Sequence, residues 1–119
     1  ITPTIPADTP PLSAQMFEDA VEHINTNGWT HGSNINLNGQ VCAQGAFALF
    51  RLKTSTVTFE HDKDRFKAFY NRQTEILELM GIDPEFGGVV AWNDHPARTR
   101  DQVIEALTRA SKKLRDAGR

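Results

Sequence analysis

Apolar residues recur at helical spacing in four segments of this chain, and this pattern constrains the fold more than any other feature. The clearest segment is 62–80, where apolar residues fall at positions i, i+3, i+4, i+10, i+11 and i+14. Each segment is apolar on one face only, so each must bury that face against another segment. We therefore predict a mainly α fold, a compact bundle of about four helices with ordered loops.

Local signals predict the limits of the first two helices. Ser13 is a suitable N-cap for the first helix, and Gly28 is placed to end it. The second helix is predicted over residues 42–53. Gly45 lies inside this helix, where a glycine is destabilising by about 1 kcal/mol relative to alanine. Its presence therefore predicts the close approach of another backbone.

The last two helices carry clearer signals. The third is predicted as one continuous helix over residues 62–80, closed by Gly81. The last helix is predicted to open at Thr99, which forms a capping box with Gln102. Its inner face then continues to Leu114.

The segments between these helices are predicted to be loops. Asn38-Gly39 is typical of a type I′ turn, so residues 35–41 allow one very short β-hairpin. Residues 54–60 are interpreted as a loop, because polar residues interrupt their β-branched ones. Residues 82–97 contain two prolines and two glycines and are also interpreted as a loop, with residues 89–92 as its buried anchor.

The 119 residues fit a single domain. Residues 1–12 contain four prolines and are predicted to be a flexible N-terminal arm, which leaves 13–119 as one helical domain. The start of the chain lacks the features of a signal peptide, and no apolar run reaches the roughly 20 residues that a membrane span needs. The single cysteine, Cys42, cannot form an internal disulfide, which favours a reducing cytoplasm.

Charge is unevenly distributed along the chain. The net charge is −2, yet basic residues outnumber acidic ones in residues 98–119. A basic helix could contact nucleic acid, but it can also lie on the acidic remainder of its own chain. No aromatic residues are interleaved with these bases, and the long loop before the helix does not fit a helix-turn-helix. Nucleic-acid binding is therefore disfavoured.

Two stretches combine tryptophan, glycine and polar residues in a distinctive order. The first motif has Trp29 between two glycines in residues 28–32, and then a cysteine and a Gly-Ala pair in residues 39–46. The second motif comprises Trp92, Asn93, Asp94, Arg98 and Thr99, followed by Gln102 and Val103. Together they resemble a family of small uncharacterised proteins common in actinobacteria and their phages. The resemblance covers residues 13–115 and implies that origin, but no particular chemistry.

The second motif has two interpretations. In the structural one, Trp92 fills the bundle, Asn93 and Asp94 bond to loop amides, and Arg98 pairs with a carboxylate. In the functional one, the same groups line a pocket for a ligand. Turns and caps require these residue types, so we favour the structural interpretation. The candidate motif residues are Trp29, Gly45, Trp92, Asn93, Asp94, Arg98 and Thr99.

Cys42 is the one candidate nucleophile. Its predicted place at a helix N-terminus would stabilise a thiolate. With His31 or His95 as base and Asp94 to orient it, a cysteine-hydrolase site can be drawn. A cysteine between apolar residues is more often a small buried hydrophobe, so we assign no catalytic residue.

Metal and cofactor sites have weaker support. The four histidines are scattered without the spacing of a metal motif, and the glycines do not form a phosphate-binding fingerprint. We therefore predict no metal and no cofactor.

The remaining hypothesis is protein interaction. Phe66, Phe69 and Tyr70 give the third helix a large aromatic content that a small bundle need not cover. We expect a non-enzymatic domain that binds a protein partner or itself, with a host-directed accessory role if the phage resemblance holds. The alternative is a small-ligand binder or cysteine-dependent enzyme that uses residues 28–45 and 92–98.

Overall fold

The computed structural model describes residues 5–32, 35–51 and 59–119. These residues form six α-helices, a two-stranded antiparallel sheet and one 3-10 turn, so the prediction of a mainly α bundle is confirmed. No helix in this part of the chain is both long and apolar enough to cross a membrane. In chain order the elements are α1 (Ala14–Asn27), α2 (Ala43–Ala48), β1 (Leu49–Arg51), β2 (Phe59–His61), α3 (Lys63–Asn71), α4 (Gln73–Met80), the 3-10 turn (Pro84–Phe86), α5 (Val89–Asn93) and α6 (Arg100–Asp116).

The core lies between α1 and α6, the two longest helices, which pack along each other. α2 packs against α1 on one side and α3 on the other, while α4 covers α6. Phe17 of α1 meets the edge of the Phe47 ring at 5.2 Å between ring centroids, and Phe47 in turn meets Phe69 at 5.3 Å. These aromatic contacts join α1, α2 and α3 into one hydrophobic centre.

Three helix ends are confirmed where the sequence predicted them. Gly28 ends α1 with a φ of 91° and donates its N–H to the Ile24 carbonyl at 2.8 Å. Gly81 ends α4 in the left-handed conformation, with a φ of 78°. Thr99 opens α6 through a complete capping box with Gln102. These signals hold because capping depends on residues within one turn of the helix end.

The prediction of a single third helix over 62–80 is wrong. α3 ends at Asn71 and α4 begins at Gln73, because Arg72 adopts non-helical backbone angles of φ −118° and ψ 32°. Arg72 also donates Nε–H to the carbonyl of Pro10 at 2.8 Å and Nη2–H to the carbonyl of Thr9 at 3.1 Å. The break therefore coincides with a contact to a distant segment that periodicity alone does not reveal.

The second helix is also shorter than predicted. It begins after Cys42 and ends at Ala48, and Leu49–Arg51 continues as strand β1. β1 pairs with β2 in antiparallel register, with Phe50 opposite Glu60. Residues 59 and 60 therefore belong to a strand, whereas residues 54–58 of the predicted loop lie outside the described residues. Strand pairing is a non-local interaction, and it overrides the local helical pattern here.

The stretch 82–97 contains more structure than the predicted loop. Pro84–Phe86 forms the 3-10 turn and Val89–Asn93 forms α5. The first N–H of α5, from Val89, is accepted by the side-chain oxygen of Gln73 at 2.8 Å. The buried anchor is half confirmed, because Val89 and Trp92 are buried and Val90 and Ala91 are exposed.

The hairpin over residues 35–41 is present in its shortest form, a single antiparallel bridge between Ile35 and Val41. The turn is not type I′, which requires positive φ at both central residues. Only Gly39 has positive φ here (81°), and its N–H donates to the Asn36 carbonyl at 3.0 Å. The Asn36 side chain accepts the N–H groups of residues 38 and 40 at 3.0 Å and so selects a different turn.

The segment before α1 lies against the helices. Thr9 and Leu12 are buried. Arg119 donates to the Leu12 carbonyl at 3.2 Å, and its own carbonyl accepts the N–H of Ala14 at 3.4 Å. Both ends of the helical body therefore lie side by side. The arm boundary at residue 12 stays a prediction.

Candidate functional site

The two sequence motifs meet in the structure. The loop at residues 29–32, the first residue of α2 and the last residues of α5 form one hydrogen-bonded junction, which we call the motif corner. α5 carries the second motif into the corner, and the parallel bridge between Trp29 and Val41 holds the two halves of the first motif together. The corner consists of Trp29, Thr30, Gly32, Ala43, Asn93 and Asp94.

Asn93 is the centre of the motif corner and is completely buried. Its Oδ1 accepts the indole N–H of Trp29 at 2.7 Å and the backbone N–H of Ala43 at 3.1 Å. Its Nδ2 donates to the Thr30 carbonyl at 3.3 Å and to Asp94 Oδ1 at 2.9 Å. An amide group offers two donors and two acceptor sites, so this side chain uses its full capacity within the protein.

Asp94 extends the same network towards the surface. Its Oδ1 accepts the backbone N–H of Gly32 at 2.9 Å in addition to the Asn93 amide. The side chain is half-buried, and it lies near enough to Cys42 to oppose ionisation of that thiol. Asp94 therefore positions the 29–32 loop, in line with the structural interpretation of the second motif.

Cys42 lies directly before α2, as predicted, but does not gain the expected thiolate stabilisation. It is only 3% exposed, and burial raises the pKa of its thiol. The N–H of Gly45 approaches Sγ at 3.5 Å and favours the thiolate, but desolvation outweighs this effect on the pKa. An activated nucleophile requires the opposite shift.

The two candidate bases lie in loops on either side of the corner. His31 is exposed, and its ring packs edge-on against Trp29 at 4.4 Å between centroids. His95 Nδ1 accepts the N–H of Ala97 at 3.1 Å, which places the proton of the neutral ring on Nε2. The His95 ring also contacts Phe86. These contacts give both rings a role in shaping their own loops.

Arg98 stacks on the indole of Trp92 at 4.2 Å and donates Nε–H to the Trp92 carbonyl at 2.9 Å. Burial lowers the pKa of its guanidinium group. Its guanidinium hydrogen bonds in the described part of the chain go to this carbonyl and to Gln102, and the predicted pairing with a carboxylate stays a prediction. The indole face supplies favourable electrostatics.

Two of the candidate motif residues contribute to local helix geometry. Thr99 caps α6, as described above. Gly45 is buried in the middle of α2, and the predicted close approach of another backbone stays a prediction. Among the side chains that the structure describes, His, Cys, Asp and Glu form no group of three that could hold a metal ion.

A second surface is centred on Tyr70 of α3. Tyr70 is 69% exposed, whereas Phe69 beside it is 2% exposed. The Tyr70 and Phe66 rings stack at 6.1 Å between centroids with an interplanar angle of 18°. The sequence flagged these three aromatics together, but only their orientation in the fold separates the core ring from the surface rings.

Within the part of the chain that the structure describes, three depressions converge on Tyr70, and we call this area the Tyr70 surface. The largest, of about 530 Å³, is lined by Lys63, Phe66, Lys67, Tyr70 and Asn71. The second lies between the N-terminal segment and the start of α4, and Ile5 contributes to it. The third is bordered by Gly87, Gly88 and the exposed residues Val90 and Ala91 of α5. Tyr70 lines all three.

Comparison with known proteins places the chain in one family. Residues 8–113 match the model of a family of unknown function, DUF6197. The chain belongs to this family. The DUF6197 match spans every helix from α1 to α5 and nearly all of α6, together with the motif corner and the Tyr70 surface apart from Ile5. No curated protein and no solved structure matches the chain.

Proposed function

We propose that this domain is a protein-binding module and that the Tyr70 surface is where its partner docks. The observation that carries the proposal is the exposure of Tyr70 at the point where three depressions meet. Large aromatic side chains held in such positions dominate the energetics of many protein interfaces.

The apolar character of the neighbourhood supports this proposal. Phe66 stacks on Tyr70, and Val90 of α5 is 38% exposed at the edge of the third depression. Contiguous exposed apolar area on a soluble domain is characteristic of a binding surface. Tyrosine suits this role, because its ring is apolar and its hydroxyl group can still find a hydrogen-bond partner.

The motif corner offers less support for a function of its own. The polar side chain at its centre, Asn93, bonds entirely to the protein itself, and the pKa of the Cys42 thiol is raised. These features suit a structural joint that fixes α5 beside α2. The position of α5 in turn places Val90 and Ala91 beside Tyr70, so the corner serves the proposed docking surface indirectly.

We extend the proposal to cellular context. The single cysteine is consistent with a reducing cytoplasm. The resemblance of the two motifs to actinobacterial and phage proteins supports a host-directed accessory role, in which the domain modulates a protein of the cell that contains it. The partner is a different protein, and self-association is a separate outcome that the experiment below distinguishes.

Site-specific photo-crosslinking tests the proposal. A benzoylphenylalanine replaces Tyr70 in one sample and Leu37, which is fully exposed in the 36–39 turn, in the other. We expect a partner protein to crosslink from position 70 and not from position 37. With the identified partner purified, Tyr70→Ser should weaken binding by about 30-fold, as expected for loss of a central aromatic worth about 2 kcal/mol. Leu37→Ser should leave binding unchanged.

Two results would contradict the proposal. Equal crosslinking from positions 70 and 37 would show that the Tyr70 surface has no preference for a partner. A Tyr70→Ser variant that binds the purified partner as tightly as the unmodified protein would place the interface elsewhere. If sedimentation shows a dimer and the Tyr70→Ser substitution dissociates it, the partner at the Tyr70 surface is a second copy of the chain and not a different protein.

A further inference from the structure

We infer that the partner segment recognised by the Tyr70 surface is a non-helical, acidic peptide with an apolar side chain next to its carboxylates. This inference rests on the proposed function and specifies the chemistry of the partner. It depends on the charges around the largest depression and on how the protein already holds a segment of its own chain against α3 and α4.

The largest depression combines an apolar floor with a cationic rim. Phe66 and Tyr70 provide the ring surfaces, and Lys63 and Lys67 lie one turn apart along the same face of α3. The lining side chains that the structure describes include no carboxylate. Such a site favours an apolar side chain that packs against the rings while adjacent carboxylates reach the two ammonium groups.

The N-terminal segment shows how this face holds a non-helical chain. Asp8 accepts from Lys67 Nζ at 2.8 Å, and Thr9 Oγ1 accepts from the Asn71 amide at 3.0 Å. Arg72 then donates to the backbone carbonyls of Thr9 and Pro10. One carboxylate and two backbone carbonyls thus anchor a non-helical segment along α3 and the start of α4. Lys67 and Asn71 also line the largest depression.

Among the side chains described on this face, Lys63 is the cation that remains available to a partner. It is exposed, and it makes no ion pair with any residue whose side chain the structure describes. Lys67 already has Asp8 as a partner, so a second carboxylate must either share Lys67 or take Lys63. We therefore assign the first acidic group of the partner to Lys63 and expect Lys63 to contribute more to binding than Lys67.

Fluorescence polarisation with defined peptides tests this inference. The probe is a fluorescein-labelled peptide, Gly-Ser-Asp-Glu-Leu-Phe-Asp-Glu-Ser-Gly, with two controls. One control carries lysine in place of all four acids, and the other carries serine in place of Leu and Phe. We expect the acidic apolar probe to bind at least tenfold more tightly than either control at low salt. Its affinity should fall as salt is raised, because exposed ion pairs are screened.

Charge reversal on the protein gives the matched comparison. Lys63→Glu should weaken binding of the acidic probe at least fivefold, and Lys67→Glu should weaken it less. Lys112→Glu, an exposed lysine on α6, should leave binding unchanged. Lys63 and Lys112 are both on helix surfaces, so a difference between these variants reports position rather than net charge. Thermal unfolding of each variant verifies that the fold is retained.

The outcomes separate this inference from the proposed function. Equal binding of the acidic and lysine peptides, or an unchanged affinity in Lys63→Glu, would overturn the acidic-peptide inference. If position 70 still crosslinks to a partner in that case, the protein-binding proposal stands and only the partner chemistry is wrong. If position 70 captures no partner, the proposed function fails whatever the peptides do.

Discussion

At the residue scale, Asn93 has the largest structural role of the motif residues. Its amide joins the 29–32 loop, the start of α2 and the end of α5 through four hydrogen bonds. Asn93 is completely buried. If its side chain were removed, water could not replace the hydrogen bonds that its partners would lose. The amide therefore explains why an asparagine fits between Trp92 and Asp94 better than any apolar residue.

We expect Asn93→Ala to lower the free energy of unfolding by about 3 kcal/mol, since it leaves the Trp29 indole N–H and the Ala43 amide unsatisfied. Urea denaturation followed by tryptophan fluorescence measures the change. Asn38→Ala, at an exposed turn position, should change stability by less than about 0.5 kcal/mol. A loss below about 1 kcal/mol in Asn93→Ala would show that the corner is not held by this side chain.

Cys42 provides a second prediction, on pH dependence. Burial raises its pKa in the folded state above the value of about 8.5 expected in the unfolded chain. Below about pH 8 the thiol is neutral in both states, and its titration does not lower the free energy of unfolding. As the pH rises above 8.5, the thiol ionises first in the unfolded chain, which stabilises that state and lowers the free energy of unfolding. We expect the unfolding free energy to fall between pH 8 and 10 in the natural sequence more than in Cys42→Ala.

Thiol labelling gives an independent measurement of the same property. A chromogenic disulfide reagent should react slowly with the folded protein at neutral pH and rapidly once urea unfolds it. Rapid labelling of the folded protein, at the rate of free cysteine, would contradict the buried position of Cys42. It would also support the alternative hypothesis of a cysteine-dependent enzyme.

At the element scale, the capping box of α6 is expected to contribute measurably to stability. Thr99→Ala removes the acceptor of the Gln102 N–H and should lower the unfolding free energy by about 1 kcal/mol. Thr108→Ala makes the same chemical change in the exposed middle of α6 and should be neutral or slightly stabilising, since alanine favours helix. Thermal or urea unfolding compares the two, and equal effects would contradict a capping role for Thr99.

The limits of the elements show which features are local and could be predicted. Helix ends at Gly28, Gly81 and Thr99 were predicted correctly, because the signal lies within one turn. The break at Arg72 was missed, because its side chain bonds to residues that precede it by more than 60 positions. α5 was missed for a similar reason, since its first N–H is capped by Gln73.

In the candidate sites, too, features set by neighbouring residues could be predicted and features set by distant contacts could not. The sequence identified both motifs and their polar residues, but not their contact, because Trp29 and Asn93 are 64 positions apart. It placed Cys42 at a helix start and weighed an activated thiol against a buried one, and the burial that raises the pKa of this thiol is set by the packing of the whole fold. Phe69 is buried and Tyr70 is exposed, and which of the two faces the core likewise depends on how α3 is rotated in the bundle.

At the scale of the whole molecule, the contacts of the N-terminal segment with the helices lead to a prediction about its contribution to stability. Deletion of residues 1–7 should leave the unfolding free energy unchanged within about 0.5 kcal/mol, because residues 5–8 are exposed. Deletion of residues 1–12 should lower it by roughly 3 kcal/mol, because the buried Leu12 and the partners of Arg72 are lost. Urea denaturation of both truncated proteins measures this, and equal stability would support an arm that ends at residue 12.

The proximity of residues 12–14 to Arg119 has a practical consequence. Residues 8–11 lead away from this point along α3 to Asp8, so an insert that keeps them enters beside Lys67 and leaves at Arg119. A glycine-serine spacer before residue 8, long enough to run back to Arg119, would let the domain be inserted into a surface loop of a carrier protein, and the carrier should keep its own melting temperature. Such a chimera could display the Tyr70 face on a carrier chosen for imaging or for multivalent presentation.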